Sequence, residues 1–139
     1  MLRVLFLCTG NSARSQMAEA LLNAKGNGRF HAESAGSRPG PSVNPLAIQA
    51  LREHGIAWTG HPPRGTNGLE RERWDLVITV CDRAKESCPY FPGQPRMEHW
   101  GIPDPAEAQG DQAAKREAFR QALRALERRI EQLLVRPPS

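Results

Sequence analysis

A cysteine and an arginine stand six residues apart in the run Cys8-Thr9-Gly10-Asn11-Ser12-Ala13-Arg14-Ser15. An ionised thiol is a nucleophile, and the planar fork of arginine clasps an oxyanion through paired hydrogen bonds. Small, turn-forming residues lie between them. The chemistry this pattern suits is attack by Cys8 on a tetrahedral oxyanion. The backbone N–H groups of Thr9, Gly10, Asn11, Ser12, Ala13 and Arg14, together with the Arg14 guanidinium, would hold that anion. Behind the run is the apolar stretch 2–7, which reads as a strand. Ahead of it Met17, Ala18, Leu21 and Leu22 recur at helical spacing. A strand, a short loop and a helix N-terminus make an anion cradle, with roughly half a positive charge at the helix end. The same field predicts that Cys8 is held as thiolate.

Two more cysteines follow, Cys81 and Cys88. Cys81 comes directly after the apolar stretch 76–80, as Cys8 comes after 2–7. In an open parallel sheet the carboxyl ends of neighbouring strands share one crevice, so these two thiols are expected to meet. Residues 82–87 read as a short helix. A helical separation of seven residues spans about 10.5 Å, whereas a disulfide needs Cα atoms roughly 4.4–6.8 Å apart. Cys81 and Cys88 therefore pair only if that helix unwinds; a redox switch and two inert buried thiols are both open on this ground. An odd cysteine count and the spacing do not match a disulfide framework or a zinc site, and no metal is expected. An acid for a departing oxygen is offered by Asp104, held between Pro103 and Pro105 in a stiff, non-helical loop.

These residues need a scaffold. The chain alternates strand-like and helix-like segments, which predicts an α/β domain with a parallel sheet. Strands are expected at 2–7, 30–34, 76–80 and 98–101. Helices are expected at 15–25, from Asn44-Pro45 to about His54, and at 111–134. The last has the apolar stripe Phe119, Leu123, Leu126, Ile130 and Leu133. With 139 residues the chain is expected to fold as one domain, 1–139. The net charge of +4 is scattered among glutamates without an aromatic platform, which argues for small anions rather than nucleic acid. The apolar runs are too short for a membrane helix or a signal peptide, so a cytoplasmic location without a membrane partner is expected, and nothing calls for more than a monomer.

The stretch Phe6-Leu7-Cys8-Thr9-Gly10-Asn11-Ser12-Ala13-Arg14-Ser15-Gln16-Met17-Ala18-Glu19 resembles the active-site signature of thioredoxin-coupled arsenate reductases, which share the low-molecular-weight protein tyrosine phosphatase fold. The resemblance continues through Glu33-Ser34-Ala35-Gly36, Val43-Asn44-Pro45, the run from Asp75 to Cys81, Cys88-Pro89, Glu98-His99-Trp100-Gly101 and Asp104-Pro105-Ala106. It implies a three-layer fold, with a four-stranded parallel sheet in flavodoxin-like order and helices on both faces. It implies Cys8 as nucleophile, Arg14 as oxyanion ligand, Ser15 as hydrogen-bond donor to the thiolate and Asn11 as the residue that shapes the loop. Asp104 would be the general acid, and Cys81 and Cys88 the resolving thiols. Arsenate or phosphate would be the oxyanion, thioredoxin the external electron donor, with no bound cofactor.

The Cys8 loop is shared with the phosphatases; the Cys81/Cys88 pair singles out the reductases. The implied alternative is a phosphatase acting on aryl phosphate or phosphotyrosine through a cysteinyl-phosphate. The chain departs from the pattern at three places. Ala13 replaces a cysteine found in many relatives. Ala106 stands where the phosphatases carry a stacking tyrosine. Some reductases bind potassium with an acidic residue near 61–64, and this chain has Pro62, Pro63 and Arg64 there.

Overall fold

The computed structural model describes residues 1–81, 91 and 95–138. Cys88 and the helix expected at 82–87 lie outside the described residues. The described elements are β1 (Leu2–Cys8), α1 (Arg14–Lys25), β2 (Phe30–Gly36), α2 (Pro45–Glu53), β3 (Leu76–Thr79), β4 (Arg96–His99) and α3 (Gln112–Val135). Two 3₁₀ turns, Leu69–Arg71 and Pro105–Glu107, join them. The four strands form one parallel sheet in the order β2-β1-β3-β4. After β2 the chain crosses to the other side of β1, so the sheet's switch point falls between the carboxyl ends of β1 and β3. In an open α/β sheet that crevice is where ligands bind.

Burial explains the strands. Val4, Leu5, Phe6, Leu76, Val77 and Ile78 are fully buried, as expected for central strands covered on both faces. The α3 stripe Phe119, Leu123, Leu126, Ile130 and Leu133 is buried as its spacing requires, and α1, α2 and α3 pack against one another. The Asn44 side chain accepts from the Leu46 N–H at 2.9 Å, with Pro45 at the first helical position. Such a cap satisfies one of the orphan donors of α2.

All four strands differ from expectation in at least one limit; β1 runs one residue further, to Cys8. β2 runs on to Gly36 because its ladder with β1 continues to the pair Cys8–Gly36. β3 stops at Thr79, although the Val80 N–H still donates to the Leu7 carbonyl at 2.9 Å. β4 is Arg96–His99 rather than 98–101, fixed by its register with β3. The apolar Trp100 and Ile102, which mark the region in sequence, lie past its end and bond the Thr79 and Val80 carbonyls.

On β2, Glu33 is held by two arginines and a histidine. Arg64 donates to it at 2.6 Å, Arg3 at 3.2 Å, and His31 lies at 2.8 Å. Burial alone would raise its pKa; the hydrogen bonds from Arg64, His31 and Arg3 outweigh this and hold it at about 2, against an ordinary value of 4.5. A depressed folded-state pKa contributes stability that is complete above the unfolded value and is lost as pH falls through the folded one. Between about pH 4.5 and pH 2, the melting temperature of the parent is therefore expected to fall more steeply than that of Glu33→Gln; parallel curves across that window contradict this.

Candidate active site

β1 delivers Cys8 to the switch point, and residues 9–13 turn the chain into α1. The direction of the loop dipoles is set by where its carbonyls go. The carbonyls of Cys8, Thr9, Gly10 and Ser12 accept from the N–H groups of Ser37, Arg38, Gly40 and Asn44 at 2.7–3.0 Å. The Asn11 carbonyl accepts from Gln16 Nε2 at 2.9 Å, and that of Ala13 from the Met17 N–H. Six successive carbonyls are thus drawn outward by the rest of the molecule. The amide dipoles that remain face the other way, toward the Cys8 side, at the N-terminus of α1. This is an anion cradle built by satisfying the acceptors elsewhere.

Asn11 fixes the loop's shape. Its φ is 53°, in the left-handed region that a short polar side chain tolerates best. The fully buried side chain uses both ends. Nδ2 donates to Ser15 Oγ at 2.8 Å and to Ser34 Oγ at 2.9 Å, and Oδ1 accepts from the Arg64 N–H at 3.0 Å. Gly36 lies directly behind. A Cβ there would strike the Thr9 carbonyl and sit 2.9 Å from the Asn11 nitrogen, so close approach of two backbones requires glycine.

Arg14 is anchored and still open. Its Nη1 donates to the Ile102 carbonyl at 2.8 Å, and Nη2 is 3.6 Å from Asp104 Oδ2. Among the described residues its Nε is buried without a hydrogen-bond partner. A buried donor left unpaired is costly, and an oxyanion in the cradle would satisfy it. Asp104 caps the 3₁₀ turn through the Ala106 N–H at 3.0 Å and so presents its other oxygen to Arg14. Thr9, Arg14, Cys81, Ile102, Pro103 and Asp104 line one open pocket of about 470 Å³.

Cys8 and Cys81 are both buried, at the neighbouring carboxyl ends of β1 and β3. Thr9 Oγ1 lies 3.2 Å from Cys81 Sγ. The expected meeting of the two strand ends therefore occurs. The pKa of Cys8 differs from the expectation of a standing thiolate. It is raised, first by the hydrogen bond with Cys81 and then by burial, against the pull of Arg14 and the Thr9 N–H. Reasoning from the cradle alone leaves out the second sulfur. Of the other expected residues, Ser15 is buried behind the loop with its hydroxyl accepting from Asn11. Ser12 and Ala13 lie in the loop wall.

Sequence reasoning assigned no role to Gln16, Ser34, His61 or Arg64. Ser34 donates to Glu19 Oε1 at 2.5 Å, and His61 Nε2 lies 2.8 Å from that same oxygen. Gln16 ties the Asn11 and His61 carbonyls together at 2.9 and 2.8 Å. The signal available was the register of β2 against β1, which places Ser34 beside Phe6 and Gly36 beside Cys8.

The oxygens that surround this support are already bonded to N–H or O–H groups. Arg64 Nε donates to the Ser34 carbonyl at 2.9 Å and its Nη2 to Glu33. Glu19 takes Ser34 and His61, and Asn11 Oδ1 takes the Arg64 amide. Among the described residues no group of three or more acidic, histidine or cysteine side chains is disposed to hold a metal. A potassium ion does not fit this donor set.

Asn11→Ala strips partners from Ser15, Ser34 and the Arg64 amide, each loss worth on the order of 1 kcal/mol, and leaves alanine at a left-handed φ. The variant is expected to melt several degrees lower and to bind inorganic phosphate at least about ten-fold more weakly by calorimetry. Phosphate affinity equal to that of the parent contradicts the keystone role.

The model of the low molecular weight phosphotyrosine protein phosphatase family matches residues 3–136. The arsenate reductase of Oceanobacillus iheyensis is 39% identical over 118 residues, covering 85% of this chain and 84% of that one. Among solved structures, an arsenate reductase in the phosphate binding state superposes with a TM-score of 0.84 at 29% identity over 100% of both chains. A thioredoxin-dependent arsenate reductase of Corynebacterium glutamicum gives a TM-score of 0.66 at 28% identity, over 95% of this chain and 63% of that one. The parallel sheet and its helices are the three-layer α/β arrangement of these proteins. By sequence and by fold, the chain belongs to the low molecular weight phosphotyrosine protein phosphatase family, on its arsenate reductase side.

Proposed function

We propose that the protein reduces arsenate to arsenite by passing two electrons through Cys8, Cys81 and Cys88, with thioredoxin restoring the thiols. The observation that carries this reading is the placement of Cys81 beside the Cys8 loop, at the end of the neighbouring strand and with its Sγ 3.2 Å from Thr9 Oγ1. A phosphatase needs one sulfur there; a second sulfur beside the first serves a transfer between sulfurs. The names of the relatives, one of them thioredoxin-dependent, support the same reading. The chain would act as a single domain over 1–139, as a monomer in the cytoplasm, without a resident cofactor. No helix among the described residues is long and apolar enough to cross a membrane.

The steps balance. Arsenate enters the cradle as an oxyanion and takes hydrogen bonds from the inward amides and Arg14. Cys8 attacks as the thiolate, and its proton passes to a basic oxygen of the arsenate. Sγ of Cys8 bonds to arsenic, and an oxygen leaves as water with a proton from Asp104. Cys81 Sγ then attacks Cys8 Sγ. The sulfur–sulfur bond forms, the sulfur–arsenic bond breaks, and its electron pair remains on arsenic, which departs as arsenite. Cys88 displaces Cys8 from Cys81 and leaves a Cys81–Cys88 disulfide for thioredoxin. Phosphate in the same cradle accepts no electrons from thiols, so a cysteinyl-phosphate is only hydrolysed. Ester hydrolysis follows as a side activity, and Ala106 at the rim offers no ring to stack on an aryl group.

The test compares parent and Cys88→Ser in arsenate-dependent oxidation of reduced thioredoxin and in p-nitrophenyl phosphate hydrolysis. The expected result is loss of multiple arsenate turnovers in Cys88→Ser with hydrolysis retained, and loss of both activities in Cys8→Ser. Equal arsenate turnover by parent and Cys88→Ser would refute the relay.

A further inference from the structure

Around the cradle, one side chain holds more of the loop's support than its place in an irregular segment suggests. Arg64 meets the site from four directions. Its N–H donates to Asn11 Oδ1 at 3.0 Å, and its carbonyl accepts from the Gly36 N–H at 2.8 Å. Its Nε donates to the Ser34 carbonyl at 2.9 Å, and its Nη2 to Glu33 Oε1 at 2.6 Å. Asn11 sets the left-handed loop, Gly36 is its closest backbone neighbour, and Ser34 is a hydroxyl that Asn11 grips. The main chain of Arg64 thus fixes the loop while its side chain is pinned to the adjacent strand.

The charges complete the picture. Two carboxylates face this support, Glu33 and Glu19. Glu33 is neutralised by Arg64, Arg3 and His31. Glu19, buried on α1, is met by the Ser34 hydroxyl and His61 Nε2, while His61 Nδ1 faces the Pro62 carbonyl at 2.9 Å. Negative charge behind an anion cradle weakens it unless a cation stands beside that charge. Here side chains of the protein provide the cations, and a guanidinium fork, unlike a bare ion, reaches a carbonyl and a carboxylate at once.

We propose that Arg64 is a positioning residue of the oxyanion cradle and its built-in counter-cation, holding Asn11, Ser34 and Glu33 in place so that the loop needs no bound monovalent cation. The proposal rests on the oxyanion reading of the site but not on arsenate being its substrate. Loss of the Arg64 side chain removes its two bonds to β2, at the Ser34 carbonyl and Glu33, loosens the support behind Asn11 and leaves Glu33 less compensated. The effect falls on oxyanion affinity rather than on thiol chemistry.

The experiment measures binding of inorganic phosphate by calorimetry, and arsenate turnover, in potassium, sodium and tetramethylammonium chloride at one ionic strength. The parent is expected to give the same phosphate affinity in all three salts. Arg64→Ala is expected to bind phosphate roughly ten-fold more weakly, the scale of one charge-assisted hydrogen bond. Its KM for arsenate rises while kcat changes little, and Arg64→Lys falls between. Potassium strengthening phosphate binding by the parent overturns the proposal, as does parent-like phosphate affinity in Arg64→Ala. If Arg64→Ala does not fold, the salt series on the parent and the intermediate affinity of Arg64→Lys decide it. Phosphate results as expected with arsenate turnover absent leave this proposal standing and overturn the reductase reading instead.

Discussion

The structure depends on six consecutive backbone carbonyls facing away from the site. A loop that bends around an anion must turn its N–H groups inward, and peptide geometry then sends the carbonyls outward, where burial demands partners. Residues 37–44 supply four of those partners as backbone N–H groups, Gln16 supplies a fifth, and the first turn of α1 the sixth. The cradle is therefore a joint property of the β1–α1 loop and the β2–α2 connection. The left-handed Asn11, glycine at position 36 and the Ser34–Glu19–His61 chain are consequences of holding that bend against its tendency to relax.

On this frame the second constraint is placement of sulfur. The sheet order puts the carboxyl ends of β1 and β3 side by side at the switch point, so Cys8 and Cys81 meet without a long loop to bring them together. Their proximity has a cost. Cys81 and burial oppose ionisation of Cys8, and Arg14 and the Thr9 N–H work against that. A site for hydrolysis alone gains nothing from such a pair. A site that must join two sulfurs while arsenic leaves with an electron pair has its second thiol in place before substrate arrives, which is the advantage of positioning over encounter.

How much of this was legible in the sequence follows the range of the interactions. The Cys8 loop, the strand before it and the helix after it are local, and their residue types point to one chemistry. The buried strands β1 and β3 and the stripe on α3 are periodic and were placed closely. β4 was placed two residues late because its side chains are largely exposed, so no apolar alternation marks it. The roles of Ser34, His61 and Arg64 depend on contacts 23 to 53 residues apart, which spacing alone does not encode. The rise in the pKa of Cys8 was missed for the same reason, since its cause is a residue from another strand.

The central claim is that Cys81 attacks Cys8 directly, so that the electron pair of the arsenic–sulfur bond stays on arsenic. Reacting fully reduced Cys88→Ser with one equivalent of arsenate, then quenching and mapping disulfides by mass spectrometry, tests it most directly. The account predicts a Cys8–Cys81 disulfide and about one arsenite released per protein, the stoichiometry of one two-electron exchange. Arsenite released without that disulfide, or Cys8 and Cys81 both recovered as free thiols, contradicts it.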